Sequence, residues 1–315
     1  MRESKVVLHI VTGFLGSGKT NVLLHLLGTA SPEGRLGVVV GEFADEGYDG
    51  PALEDTGHAI KMVAGLQHAD RALAYLPALR ELVLGGYHRR VILETSGVVE
   101  AERLREALKN DEALAARSVF GRSIAVVDAA AFPKHLAHFE SQMRAQVSMA
   151  DILVVNKTDK VGPAELAKVR TALKGINAEA EVQFAYMGQM HRPSFWAPMP
   201  ADVPPRLLRA EPLGESFADF EAFVYRTPQV AWDRVRFGHL LLNLPSRVAR
   251  FKGVLRAHDK SYAVNGLPGQ LDWDNRAVAG ATRIAIIGVG LAADTDLVRA
   301  ALDDELARQE AEMRR

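Results

Sequence analysis

Residues 13–20 read GFLGSGKT, and no other stretch limits the fold of this chain as strongly. The spacing G-x-x-x-x-G-K-[ST] is filled by Gly13, Gly18, Lys19 and Thr20. A buried-strand pattern, KVVLHIVT at 5–12, runs into it, and a helical pattern, KTNVLLHLLG at 19–28, leaves it and closes on Gly28. A chain that turns through glycines from a strand into a helix aims several backbone N–H groups at one point, those of Gly16 and Ser17 among them. The helix N-terminus adds a positive field there. Such a nest suits phosphate. Lys19 is placed to reach the β- and γ-phosphates of a nucleotide, and the Thr20 hydroxyl to ligate Mg2+.

The rest of the first half supports that geometry. Short apolar runs at 35–40, 89–94, 123–128, 151–156 and 181–186 are expected as strands. Amphipathic stretches at 69–84, 100–117, 139–150 and 163–175 are expected as helices between them. This alternation predicts an α/β domain over 1–190, with a mostly parallel sheet and helices on both faces. Residues 191–217 carry Pro193, Pro198, Pro200, Pro204, Pro205 and Pro212 and read as a Pro-rich linker. Residues 218–315 read as a smaller α+β domain: strands in FADFEAFVYR, SRVARFKGVLRAH, SYAVNGL and ATRIAIIGVG, with helices at 230–242 and 292–313.

Two further motifs follow the loop in chain order. RRVILETSG at 89–97 is a strand ending on Glu94, and in parallel sheets the carboxyl ends of strands are where ligands bind. Glu94 is expected in the Mg2+ shell with Thr20, and the E-x-x-G spacing brings the Gly97 N–H toward the γ-phosphate. NKTD at 156–159 follows the strand DILVV. The Asp159 carboxylate can accept from the N1 and N2 donors of guanine, a pair that adenine lacks, so GTP and GDP are the expected nucleotides. Asn156 is expected either to bond the base edge or to brace the loop, and the Lys157 stem to lie over the ring. Glu42 and Asp45, within 41–50, are candidate sensors of the γ-phosphate. Lys19, Glu94 and Glu42 form the candidate catalytic set.

Composition narrows the partners. The 315 residues hold 38 basic and 39 acidic side chains, a net charge of -1, which gives no pull toward nucleic acid or anionic lipid. The start shows no signal-peptide layout and no stretch has the apolar length to span a bilayer, so a cytoplasmic location is expected, with neither membrane nor nucleic acid as partner. There is no cysteine, which excludes disulfides and thiolate metal sites.

Taken together, GFLGSGKT, GEFADEGYD at 41–49, ETSG at 94–97 and QVSMADILVVNKTD at 146–159 resemble the G3E P-loop GTPases, in their CobW-like, metallochaperone-type subfamily. The resemblance covers most of 5–186. RVARFKGVL and TRIAIIG also look like that subfamily's second domain. It implies a GTPase domain with a smaller α+β domain, and GTP hydrolysis coupled to delivery of a transition metal, often zinc or cobalt, to a client metalloprotein. Two departures stand out. The subfamily's segment begins N-E-F-G, whereas here Gly41 and Ala44 flank the matching Glu42 and Phe43; Asp49 matches a later acidic position. Where the subfamily carries Gly-Cys-x-Cys-Cys, this chain has Gly65-Leu66-Gln67-His68-Ala69. A soft tetrahedral site cannot be built from that stretch, although Glu42 and His68, with Asp70, offer a harder N/O alternative for a second metal.

Other candidates read as structural. His135 and His138 share a helix face but are expected as surface histidines, Trp196, Trp232 and Trp273 as packing residues, and Arg247, Arg250, Lys252 and Arg256 as a half-exposed strand face. Three classes of function remain open: a GTP-driven metal-insertion factor, a regulatory GTPase that switches a protein partner without carrying metal, and a P-loop kinase or ATPase. NKTD argues against the third, and the missing cysteines favour the second over the first. A homodimer is the oligomer to test.

Overall fold

A computed structural model of the chain describes residues 5–28, 35–42, 53, 55–64, 71–98, 101–199, 203–209, 220–227, 232–258, 260–274 and 281–313. The chain divides into two compact units, residues 1–217 and 218–315.

The first unit is built on strands β1 (Val6–Thr12), β2 (Gly37–Gly41), β3 (Ala59–Val63), β4 (Arg90–Glu94), β5 (Ser118–Asp128), β6 (Ile152–Asn156) and β7 (Glu181–Phe184), in the order β3-β2-β4-β1-β5-β6-β7. Every pairing in this sheet is parallel. The helices are α1 (Lys19–Leu27), α2 (Leu76–Leu84), α3 (Ala101–Asn110), α4 (Glu112–Arg117), α5 (Phe132–His138), α6 (Glu140–Ser148), α7 (Pro163–Ile176), α8 (Arg192–Trp196) and α9 (Arg206–Arg209). All residues of β2, β4 and β6 are buried, because a parallel sheet covered on both faces has no solvent side. One face packs Val11, Val38, Ile92, Val126 and Val154 against Leu23 and Leu26 of α1. On the other, Val39, Leu93, Val127 and Val155 are equally buried. The mostly parallel α/β fold predicted from the alternation of runs is the fold observed.

Several details differ from expectation. β3 was not anticipated: it is the sheet edge, half exposed, and its single Lys61 breaks the apolar pattern. The helix expected at 69–84 is a short 3-10 turn (Leu73–Tyr75) followed by α2, with Pro77 at the start of the helix, where its missing N–H costs nothing. The helix expected at 100–117 is interrupted at Asp111, whose carboxylate accepts from Leu114 N–H as an N-cap of α4 and pairs with Arg80 at 2.7 Å. The stretch 191–217, read as a linker, is partly packed: α8 buries Phe195 in the core of the first unit, and α9 buries Leu207. Trp196, partly buried, packs against the same core.

The second unit is an antiparallel sheet of β8 (Phe220–Thr227), β9 (Val248–Arg256), β10 (Ser261–Leu267), β11 (Gln270–Asp274) and β12 (Thr282–Val289), in the order β11-β10-β9-β12-β8. The unanticipated β11 pairs with β10 around Pro268-Gly269, a dipeptide suited to a tight turn. Helices α10 (Arg234–Leu242) and α11 (Ala292–Met313) complete the unit. Trp232, Tyr225, Phe237 and Phe251 fill its core, and the Tyr225 hydroxyl donates to Asp303 on α11 at 2.9 Å. Among the described residues, no helix is long and apolar enough to cross a membrane.

Candidate functional site

Strand register brings the three motifs to one edge of the first sheet. Val11 lies opposite Glu94 across β1 and β4, and Asp128 lies opposite Asn156 across β5 and β6. The phosphate loop therefore leaves β1 between the acidic end of β4 and the loops that follow β5 and β6. This is the carboxyl edge where open α/β sheets take their ligands.

Within the loop, Gly18 has φ 94°, and an added Cβ would sit 2.3 Å from the side-chain nitrogen of Asn156, so only glycine fits. Lys19 is buried, and its ammonium donates to the carbonyl oxygens of Gly13 at 2.9 Å and Phe14 at 3.3 Å. The positive charge thus lies inside the loop beside the backbone N–H groups. The Thr20 hydroxyl, one residue along α1, donates to Glu94 Oε1 at 3.1 Å. A hydroxyl and a carboxylate oxygen in contact beside a phosphate nest make a hard-oxygen donor set, which fits Mg2+.

Residues 95–98, which follow β4, are buried, and hydrogen bonds hold the first three of them. Thr95 N–H donates to Val11 O at 2.9 Å, and its hydroxyl to Thr12 Oγ1 at 3.2 Å. Ser96 N–H donates to the Tyr75 hydroxyl at 2.8 Å, and Gly97 O accepts from the Gln146 amide at 2.9 Å. Gly97 also lies directly on the backbone of Leu15 in the phosphate loop. Neither Tyr75 nor Gln146 was anticipated as a site residue.

At the start of the NKTD segment, Asn156 braces two loops. Its amide nitrogen donates to Ser17 O at 3.0 Å, and its amide oxygen accepts from Gly188 N–H at 2.9 Å. One buried side chain therefore ties the phosphate loop to the turn after β7. Lys157 takes the left-handed conformation at φ 60°, and its ammonium pairs with Asp128 at 2.6 Å. The other Asp128 oxygen accepts from Ala130 and Ala131 N–H. Asp128 ends a parallel strand as Glu94 does, and that rule applied to SIAVVD would have identified it. The Thr158 hydroxyl donates to Ala185 O at 3.1 Å, and Asp159 stands exposed on a single 3-10 turn (Thr158–Lys160).

Glu42 follows β2 at the same edge, and its N–H donates to Val63 O at 2.9 Å. His68, Asp70 and Asp45 lie outside the described residues, as do Phe43, Ala44 and Asp49. Among the described residues no group of three or more His, Asp or Glu is arranged to hold a metal ion. The expectation for His135 and His138 is half corrected. His138 is exposed, but His135 is buried and stacks on Phe14 of the phosphate loop at 4.7 Å, because α5 lies directly over that loop. Burial lowers the His135 pKa to about 4, against an opposing pull from Asp128.

A family model described as the CobW/HypB/UreG nucleotide-binding domain matches residues 7–184, and one described as the cobalamin synthesis protein CobW C-terminal domain matches residues 220–306. The chain belongs to the CobW/HypB/UreG family. Among curated relatives, the zinc chaperone CobW of Pseudomonas aeruginosa is 30% identical over 223 residues, covering 60% of this chain and 59% of that protein. The zinc chaperone YeiR of Escherichia coli is 29% identical over 159 residues, covering 49% and 47%. The chain spans about half the length of the curated relatives it matches. Among solved structures, Zn(II)-bound YjiA GTPase from E. coli is 20% identical, with a TM-score of 0.43 over 95% of this chain and 98% of that one.

Proposed function

We propose that this chain binds Mg-GTP at the carboxyl edge of the first sheet and hydrolyses it to GDP and phosphate. The observation that carries this reading is the Asn156 bridge. It makes the phosphate loop and the NKTD loop one hydrogen-bonded unit, with Asp159 presented to solvent beside it. An aspartate held at a fixed distance from a phosphate nest can read guanine N1 and N2 while the nest holds the phosphates.

Thr20 and Glu94 would hold Mg2+, which neutralises charge on the β- and γ-phosphate oxygens when bound. The chain's own groups do the positioning. The Lys19 ammonium and the N–H groups from Gly13 to Thr20 surround the phosphates, and the Gly97 N–H faces the γ-phosphate. Glu42 stands on the side where that group is sensed. Water attacks the γ-phosphorus in line, and GDP leaves against charge already compensated by Lys19.

The cycle is proposed to serve a protein client. Relatives named zinc chaperones favour metal delivery or metalloenzyme maturation. The complete lack of cysteine favours a second reading, a GTP switch that acts on a protein partner without carrying metal. Equilibrium dialysis of zinc and cobalt, with Mg-GDP and with a Mg-GTP analogue, separates the two. Nucleotide-dependent binding near one ion per chain supports metal carriage, whereas background binding in both states leaves the switch. The nucleotide site itself is tested by Lys19→Ala. Removing the ammonium from the loop is expected to weaken GTP binding by about a hundredfold or more. Unchanged affinity in a calorimetric titration would remove the site assignment.

A further inference from the structure

At Gly41 the structure leaves no room for a side chain. The Tyr75 ring lies against Gly41. A Cβ built there would be 2.2 Å from the hydroxyl oxygen, 2.5 Å from Cε1 and 2.7 Å from Cζ. Tyr75 is fully buried, at 0% exposure, on the 3-10 turn before α2. Its hydroxyl accepts the Ser96 N–H at 2.8 Å. A single rigid side chain thus touches two segments that lie just beyond the last β2–β4 register pair, Val40 and Glu94: Gly41 at the end of β2, one residue before Glu42, and the loop after β4 that carries Gly97.

From this contact we propose that Tyr75 is a positioning residue for GTP turnover, which couples the exit of β2 to the ETSG loop. The inference rests on the nucleotide reading above and deepens it. The phenol cannot yield toward Gly41 without displacing the backbone there, and it cannot move from Ser96 without leaving that N–H unpaired in a buried loop, which is costly. A shift of the chain at Gly41–Glu42 is therefore passed to Ser96, and from there to the adjacent Gly97 N–H. The other anchors of the loop, Thr95 on β1 and Gln146 on α6, are fixed to elements away from Gly41, and the β2–β4 register ends at Val40 and Glu94, before the two contacts of the phenol. Burial raises the phenol pKa, with the nearby Glu94 charge acting in the same direction, so the hydroxyl stays protonated.

Tyr75→Phe removes the hydroxyl and keeps the ring that packs on Gly41. Three quantities are read on the full chain: GDP affinity, the single-turnover rate of Mg-GTP hydrolysis, and amide exchange of the 94–98 segment without nucleotide. The expected result is GDP affinity within about twofold of wild type, a hydrolysis rate lower by about tenfold, and faster exchange at Ser96. A Tyr75→Phe rate equal to wild type would overturn the proposal. If wild type itself neither binds nor hydrolyses GTP, the nucleotide reading fails. The contact is then judged by exchange alone, and unchanged Ser96 protection in Tyr75→Phe would overturn it as well. Gly41→Ala supplies a second variant. It keeps the hydroxyl but forces the ring away, and it is expected to slow hydrolysis with GDP affinity retained; an unchanged rate in that variant would also contradict the coupling.

Discussion

At the scale of single residues, His135 connects packing at the phosphate loop to pH. Its ring is stacked on Phe14, and its Nε2 is buried without a hydrogen-bond partner. Its pKa falls from 6.5 to about 4 on folding because burial disfavours the charged ring. Above pH 6.5 the ring is neutral in both states and the contribution is fully present. As pH falls from 6.5 to 4, the unfolded chain takes up a proton that the folded chain refuses, and stability is lost at up to about 1.4 kcal/mol per pH unit. Below pH 4 both states are charged and the slope ends. Urea unfolding of wild type and His135→Met across this range is expected to show the slope in wild type and a flatter curve in the variant. Parallel curves would place the proton uptake elsewhere. Sequence patterning could not distinguish His135 from His138. They share a helix face by spacing, and only the position of α5 over the phosphate loop buries one and exposes the other.

At the scale of elements, the site is a set of loops at strand ends held together by side chains from elsewhere. Asn156 is the principal tie, joining β6, the phosphate loop and the turn after β7. Asn156→Ala leaves Ser17 O and Gly188 N–H without their partner. The expected cost is about 1–3 kcal/mol of stability, together with a GDP affinity lowered by about tenfold or more. Denaturant unfolding and nucleotide titration of the same preparation check both parts, and an unchanged midpoint with unchanged affinity would contradict the tie. β2, β4 and β6 were legible because two-sided burial leaves a short continuous hydrophobic string in each, and β1 because its string is broken only by the buried His9. The edge strands β3 and β11 were not, since each is half exposed and lacks that string. GFLGSGKT, Glu94 and NKTD were legible because local spacing specifies them. Tyr75 and Gln146 were not, because each acts through a partner far along the chain: Ser96 for Tyr75 and Gly97 for Gln146.

At the scale of the whole molecule, every candidate nucleotide ligand, from Gly13 to Asp159, falls within the first unit. That unit has its own core, and the second has a separate one built around Trp232 and Phe251. A chain ending at Phe217 is expected to keep GDP affinity within about threefold of the full chain, since no ligand is removed. A loss beyond about tenfold would mean that the second unit contributes to the site.

The central claim is that Asp159 reads guanine, and Asp159→Asn tests it most directly. A carboxylate accepts from guanine N1 and N2, whereas an asparagine amide can donate to the carbonyl that xanthine carries at C2. Competition among GTP, XTP and ATP is expected to show wild type preferring GTP, and Asp159→Asn losing GTP affinity by about a hundredfold or more while gaining XTP. Equal binding of GTP and ATP by wild type, or GTP affinity unaltered in the variant, would contradict the account.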